Sequence, residues 1–153
     1  MKVVLFHPQI PQNTGNIART CVATDTELIL VRPLGFAIND KMLKRAGLDY
    51  WEEVKLTIID DLYAYLKMTS APFYFFSSHA KKIYTDIHYT KESILIFGSE
   101  TAGLPPIFKE AWNDKFVTIP IKKKIRCLNL ATSVGIGLYE ALNPYFSQAL
   151  LKS

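Results

Sequence analysis

Two short runs, Val3-Val4-Leu5-Phe6 and Ile94-Leu95-Ile96-Phe97, are apolar at every position and break off abruptly into small and polar residues. A strand with one wet face alternates apolar and polar side chains, whereas a strand covered on both faces reads as a continuous apolar run. These two runs therefore call for a sheet sandwiched between helices. Six segments in all read as strands: residues 2–6, 28–32, 54–59, 73–77, 93–97 and 116–121. The connections between them are long enough to hold helices, so the pattern predicts an α/β domain with a parallel or mostly parallel six-stranded sheet and helices on both faces.

Helices are expected at 15–24, 40–46 and 61–68, the last capped by Asp61. A short helix should start at Pro105-Pro106 and run through Ala111, because proline suits an early position that lacks an internal N–H partner. The strongest periodicity lies at 128–142, where Leu130, Val134, Leu138 and Leu142 recur every fourth residue before Pro144 ends the helix. Gly135 and Gly137 weaken it by about 1 kcal/mol each relative to alanine, which close packing against another backbone would offset.

The chain has 153 residues, 49% of them hydrophobic, and shows no repeat, low-complexity tract or linker, so a single domain over 1–153 is expected. No apolar run approaches the roughly 20 residues needed to span a bilayer, which argues against an integral membrane protein. Met1-Lys2 is followed too soon by His7, Pro8 and Gln9 for a secretory leader. Cys21 and Cys127 are the only cysteines; two thiols fit a reducing cytoplasm and cannot form a four-cysteine zinc site. With no HExxH or CxxC either, no metal site is expected. The net charge of +4 is a weak bias toward polyanions. Its distribution says more, since Lys122, Lys123, Lys124 and Arg126 crowd one segment, as either a solvated loop or a phosphate-facing patch.

Three segments carry chemistry. The first, residues 8–20, follows the first strand, where parallel α/β domains place ligand loops. Asn13 can donate and accept hydrogen bonds there. If the helix begins near Gly15, Arg19 stands about one turn from its mouth, where a guanidinium can hold a phosphate through two parallel bonds. The second runs from Ile94 to Pro105: a buried strand gives way to Gly98 and Gly103, which let backbone approach a ligand, and to Glu100, which could brace a loop, bind a ribose hydroxyl or cap a helix. The third runs from Ile119 to Ser133, with apolar Ile119 and Leu128 able to flank an aromatic ring or simply to pack in the core, and Asn129 able to cap the last helix. No GxGxxG or GxxxxGK[ST] loop occurs, so dinucleotide-dehydrogenase and ATPase readings lack their usual support.

Asn13-Thr14-Gly15-Asn16-Ile17-Ala18-Arg19, then Phe97-Gly98-Ser99-Glu100 with Gly103-Leu104-Pro105, then Ile119-Pro120 with Leu128-Asn129-Leu130, resemble in order and spacing the three motifs of the SPOUT RNA methyltransferases. Gly35-Phe36, Arg45-Ala46-Gly47-Leu48-Asp49-Tyr50 and Tyr139-Glu140-Ala141 make the chain similar to the small tRNA wobble-position 2′-O-methyltransferases of that group, over essentially its whole length.

The resemblance implies an α/β fold with a C-terminal trefoil knot, a homodimer, S-adenosylmethionine as cofactor and tRNA as substrate. The implied reaction is methylation of the ribose 2′-oxygen of cytidine or uridine 34, in the cytoplasm and without a metal. Residue by residue it implies cofactor contacts at Phe76, Gly98, Ile119 and Cys127, and Arg19 at the site of methyl transfer. Asn13, Glu100 and Asn129 would support the site, and Tyr139 would serve RNA binding. The positive segment adds Lys122, Lys123 and Lys124 as candidates for contact with RNA phosphates. Cys127 stands where that group commonly has serine, Ala102 where it often has arginine, and His79 where it commonly has lysine. Those departures keep two alternatives in view: a 2′-O-methyltransferase for another tRNA or rRNA position, and an RNA-binding homologue without catalysis.

Overall fold

The computed structural model describes residues 1–39, 41–147 and 151. The continuous apolar runs form strands β1 (Lys2–Phe6) and β6 (Ile94–Phe97), which lie side by side in the middle of the sheet. With β2 (Glu27–Val31), β3 (Leu56–Ile59), β4 (Phe73–Phe76), β5 (Lys82–Ile83) and β7 (Phe116–Thr118) they make a seven-stranded sheet in the order β3-β2-β1-β6-β4-β7-β5. Every strand pairing in it is parallel.

The expected count of six strands is thus one short. The added strand is two exposed residues pairing with β7 at Lys82↔Val117 and Ile83↔Thr118, too short and too polar to leave an apolar pattern. β7 is shorter than expected and ends before Pro120, which has no N–H to give a ladder.

Successive side chains of each strand enter opposite cores, which is why the central strands are apolar throughout. Val3, Leu5, Leu28, Leu30, Leu95 and Phe97 face one side, packed under α1 (Pro11–Ala23) and α5 (Leu130–Leu142). Val4, Ile29, Val31, Ile94, Ile96 and Phe75 face the other, under α3 (Leu62–Met68) and α4 (Pro106–Trp112). Helices cover both faces, as the pattern requires. Each such side chain contributes about 1.5–3 kcal/mol on burial.

Helix boundaries follow their local chemistry. Asp61 caps α3, its Oδ1 accepting from Ala64 N–H at 2.9 Å, and Pro106 opens α4. Asn129 caps α5, which starts at Leu130 rather than 128, with Oδ1 accepting from Thr132 N–H at 3.2 Å. α1 starts at Pro11, earlier than the expected Gly15, because proline fills the first helical position. α2 occupies Lys41–Gly47; the expected start at Asp40 lies outside the described residues.

The two glycines of α5 have different surroundings. A Cβ on Gly137 would come within 2.8 Å of the Phe76 ring, so the missing side chain lets the helix settle onto β4 and β6. A Cβ on Gly135 would meet nothing within 4 Å, so neither glycine packs against another backbone as expected: Gly137 alone is closely packed, and its neighbours are the Phe76 and Phe97 rings.

The strand order reverses between β1 and β6: the chain runs outward through β2 and β3 on one side and places β4, β7 and β5 on the other. Loops leaving the carboxyl ends of β1 and β6 part at that point and open a crevice, the usual ligand position in parallel α/β sheets.

Candidate active site

A cleft of about 940 Å³ opens at those strand ends. Its wall takes Phe76 from the end of β4, Gly98 and Glu100 from the loop after β6, and Ile119 from the loop after β7. Cys127 and Asn129 come from the approach to α5, and Asn13 from the first turn of α1. All four residues expected at the cofactor and all three expected to support the site therefore share one cavity.

A polar relay ties the three segments together. The Glu100 carboxylate accepts from the Gln9 N–H at 2.8 Å and the Ile10 N–H at 3.1 Å. These donors stand at the mouth of α1, whose N-cap residue Ile10 offers no side-chain acceptor. Glu100 thus caps, from across the crevice, a helix that cannot cap itself, and its charge sits at the positive end of the helix dipole. The Asn13 Nδ2 donates to Glu100 Oε1 at 3.3 Å, and the Asn13 Oδ1 accepts from Asn129 Nδ2 at 3.0 Å. Of the three roles open to Glu100, bracing and capping are the ones its contacts fill.

Gly98 is required by its own loop. Ser99 and Gly103 exchange backbone hydrogen bonds at 3.2 and 3.0 Å, folding the chain back so tightly that a Cβ on Gly98 would lie 2.4 Å from the Gly103 carbonyl carbon. Gly103 makes the turn at φ +64°, in the left-handed region that glycine enters freely. The adjoining floor is aromatic: Phe76 stacks on Phe97 with centroids 4.6 Å apart.

The arrangement suits a ligand with a flat apolar part and a polar, charged part. Phe76, Ile119 and Leu128 offer apolar surface, the Gly98–Gly103 turn brings main chain to the cavity unobstructed, and the rim carries Glu110, Lys109 and Arg126. These residues fit S-adenosylmethionine, whose adenine needs the first and whose amino-acid and sulfonium ends need the second. Of the two cysteines, burial pushes the Cys21 thiol up to about 12, whereas Cys127 is exposed on the cleft.

Other expected site residues lie outside the wall. With α1 beginning at Pro11, Arg19 stands about 12 Å along the axis, not one turn from the mouth. It is exposed, and its guanidinium carbon lies 5.7 Å from the centroid of the Tyr50 ring. Tyr139 is 49% exposed on α5, beside Phe146. Lys122, Lys123 and Lys124 are exposed on the segment that carries Ile121 and Arg126 into the wall. Sequence reasoning overlooked Ile10, Lys109 and Glu110 as wall residues. Pro105-Pro106 marked the helix that brings the last two, but not the direction in which it lies. Among the described residues no group of His, Cys, Asp or Glu could hold a metal, and no helix is long and apolar enough to cross a membrane.

The model of the SpoU rRNA Methylase family matches residues 1–139. A Geobacillus stearothermophilus protein, provisionally named a tRNA (cytidine(34)-2′-O)-methyltransferase, is 47% identical over 146 residues, covering 93% of each chain. A solved structure reported for the 2-OH methylation of C/U34 on tRNA superposes with a TM-score of 0.85 at 39% identity, covering 93% of each chain. The AdoMet-bound rRNA methyltransferase from Sinorhizobium meliloti also gives a TM-score of 0.85, at 25% identity, over 95% of this chain and 57% of that one.

Proposed function

The chain belongs to the SpoU rRNA methylase family, and on that premise we propose that it is an S-adenosylmethionine-dependent tRNA (cytidine/uridine-34)-2′-O-methyltransferase. The observation that carries this reading is the Glu100–Asn13–Asn129 relay, which gathers the three motif segments around one cavity. The relatives matched over nearly the whole chain support the address on tRNA.

Phe76, Ile119 and Cys127 hold the cofactor, with the Gly98 turn against it, and Glu100, Asn13 and Asn129 keep that cavity in shape. When bound, S-adenosylmethionine supplies an already activated sulfonium methyl, so transfer to a ribose oxygen needs no metal. The protein's part is to align the reacting atoms and keep competing water out, and orientation of this kind is worth several kcal/mol. Arg19 fixes an RNA phosphate and stabilises the negative charge that grows on the 2′-oxygen as its proton passes to water or to the RNA phosphate. A guanidinium stays protonated, so it is not the base. Lys122, Lys123 and Lys124 bind flanking phosphates, and Tyr139 contacts RNA.

The enzyme acts as a homodimer, which brings Arg19 and Tyr139 to RNA held against a cleft whose wall neither of them joins. The outward face of α5 supports this: Tyr139, 49% exposed, stands one turn after the open Gly135, and Phe146, 39% exposed, packs beside Tyr139 from beyond the end of the helix. The trefoil knot fits a chain in which α5 returns from beyond β7 to pack against α1 and β6. Two unpaired cysteines suit the reducing cytoplasm, where tRNA is processed.

Total tRNA from cells lacking the protein, incubated with enzyme and S-adenosylmethionine and then mapped by nucleotide, tests the whole reading. New 2′-O-methyl at position 34 is expected. Product confined to another nucleotide would overturn the address, and RNA binding without product would overturn the chemistry.

A further inference from the structure

The one contact the structure gives the Arg19 guanidinium among the described residues is the face of Tyr50, at 5.7 Å, inside the roughly 6 Å range of a cation–π attraction. Tyr50 belongs to a short 3-10 helix, Leu48–Glu53, that packs beside α1. The next residue, Trp51, is packed against the main core cluster, while Tyr50 itself is 42% exposed. Trp51 anchors this segment in the core, and the Tyr50 ring lies over Arg19.

We propose that Tyr50 is a positioning residue for Arg19, holding its guanidinium by the ring face so that the N–H groups stay free for RNA. This rests on the role given to Arg19 above. A carboxylate holder would occupy those donors and neutralise the charge the reaction needs. An aromatic face attracts the cation through its quadrupole and takes no hydrogen bond, so the planar fork remains available to a phosphate or to the developing 2′-oxygen. Without it, Arg19 is a long side chain on a solvent-facing helix surface, sampling many rotamers that point away from the substrate.

The test compares Tyr50→Phe, Tyr50→Trp and Tyr50→Leu, with Arg19→Ala alongside. Phe and Trp keep a ring face and should leave kcat within about twofold of the parent, with the ring-current shift and slow local motion of the Arg19 Nε–H retained in NMR spectra. Leu keeps apolar bulk without a ring. It should lower kcat by about fivefold, leave the S-adenosylmethionine KM unchanged, and abolish the shift while the Nε–H becomes mobile. The proposal is overturned if the Leu protein matches the Phe protein in kcat and in Arg19 signals while Arg19→Ala is inactive. It is equally overturned if Leu only raises the RNA KM with the Arg19 signals unmoved, which would make Tyr50 a base-stacking surface. Full transfer by Arg19→Ala is a separate failure: it would remove Arg19 from the reaction, and the positioning role with it, even where the ring contact persists.

Discussion

Two walls of the same cleft are built in opposite ways. The turn after β6 is closed on itself by the paired Ser99–Gly103 backbone bonds and by the Ala102 N–H donating to Ser99 Oγ at 3.0 Å, and Glu100 fastens it to the mouth of α1. The segment before α5 is exposed from Lys122 to Cys127, with Ile125 53% exposed and its N–H donating to Lys122 O at 2.9 Å across a single turn. One wall is finished before any ligand arrives, while the other presents charge and apolar surface to whatever comes. Changes in the first should therefore register in folding and cofactor binding together, and changes in the second should leave folding alone.

The hardest blow to the first wall is Gly98→Ala. The new Cβ would meet main-chain atoms, 2.4 Å from the Gly103 carbonyl carbon and 2.7 Å from the Leu104 nitrogen, and main chain cannot swing aside as a side chain can. A destabilisation of about 2–3 kcal/mol is expected, the cost of an overpacked site. S-adenosylmethionine affinity should fall at least about tenfold as the turn opens, equal to about 1.4 kcal/mol. Urea denaturation and calorimetric titration read the two effects; native values in both would show that the turn is not locked.

Glu100→Ala should come next, at about 1–2 kcal/mol in a denaturation midpoint, because the Gln9 and Ile10 N–H groups lose their acceptor and Asn13 loses a partner. Glu100→Gln keeps one acceptor oxygen and should recover part of the loss. An alanine variant as stable as the parent would mean that the wall closes without its carboxylate.

How far the sequence foretold this contrast depends on how local each signal is. The runs at Val3–Phe6 and Ile94–Phe97 needed no partner to be recognised, and the caps Asp61 and Asn129 lie beside the helices they start. β5 carries no legible period in its two exposed residues, and α1 starts at Pro11, four residues before the expected Gly15. At the site, Gly98, Ile119, Cys127, Asn13, Glu100 and Asn129 could be named from their motifs and do meet in the cleft. The capping of α1 by Glu100 could not be read, since its donors lie 90 and 91 residues earlier in the chain. The difference between Gly135 and Gly137 was hidden for the same reason: only the fold decides which of them faces Phe76.

The second wall gives the smallest effect on the fold and the cleanest separation of the two. Replacing Lys122, Lys123 and Lys124 together by alanine removes three exposed charges that make no ion pair among the described residues, so stability should change by no more than about 0.5 kcal/mol. Cofactor affinity should also hold, because the lysines stand outside the cavity wall. RNA binding is where the loss should appear, and its form is specific. Each phosphate contact on a single strand releases counterions worth about 0.7 in the slope of log affinity against log salt, so three engaged lysines should flatten that slope by about two. Weaker binding at an unchanged slope would mean that the lysines shape the loop and do not touch the backbone of the RNA. A drop in stability matching that of Glu100→Ala would erase the contrast between the walls.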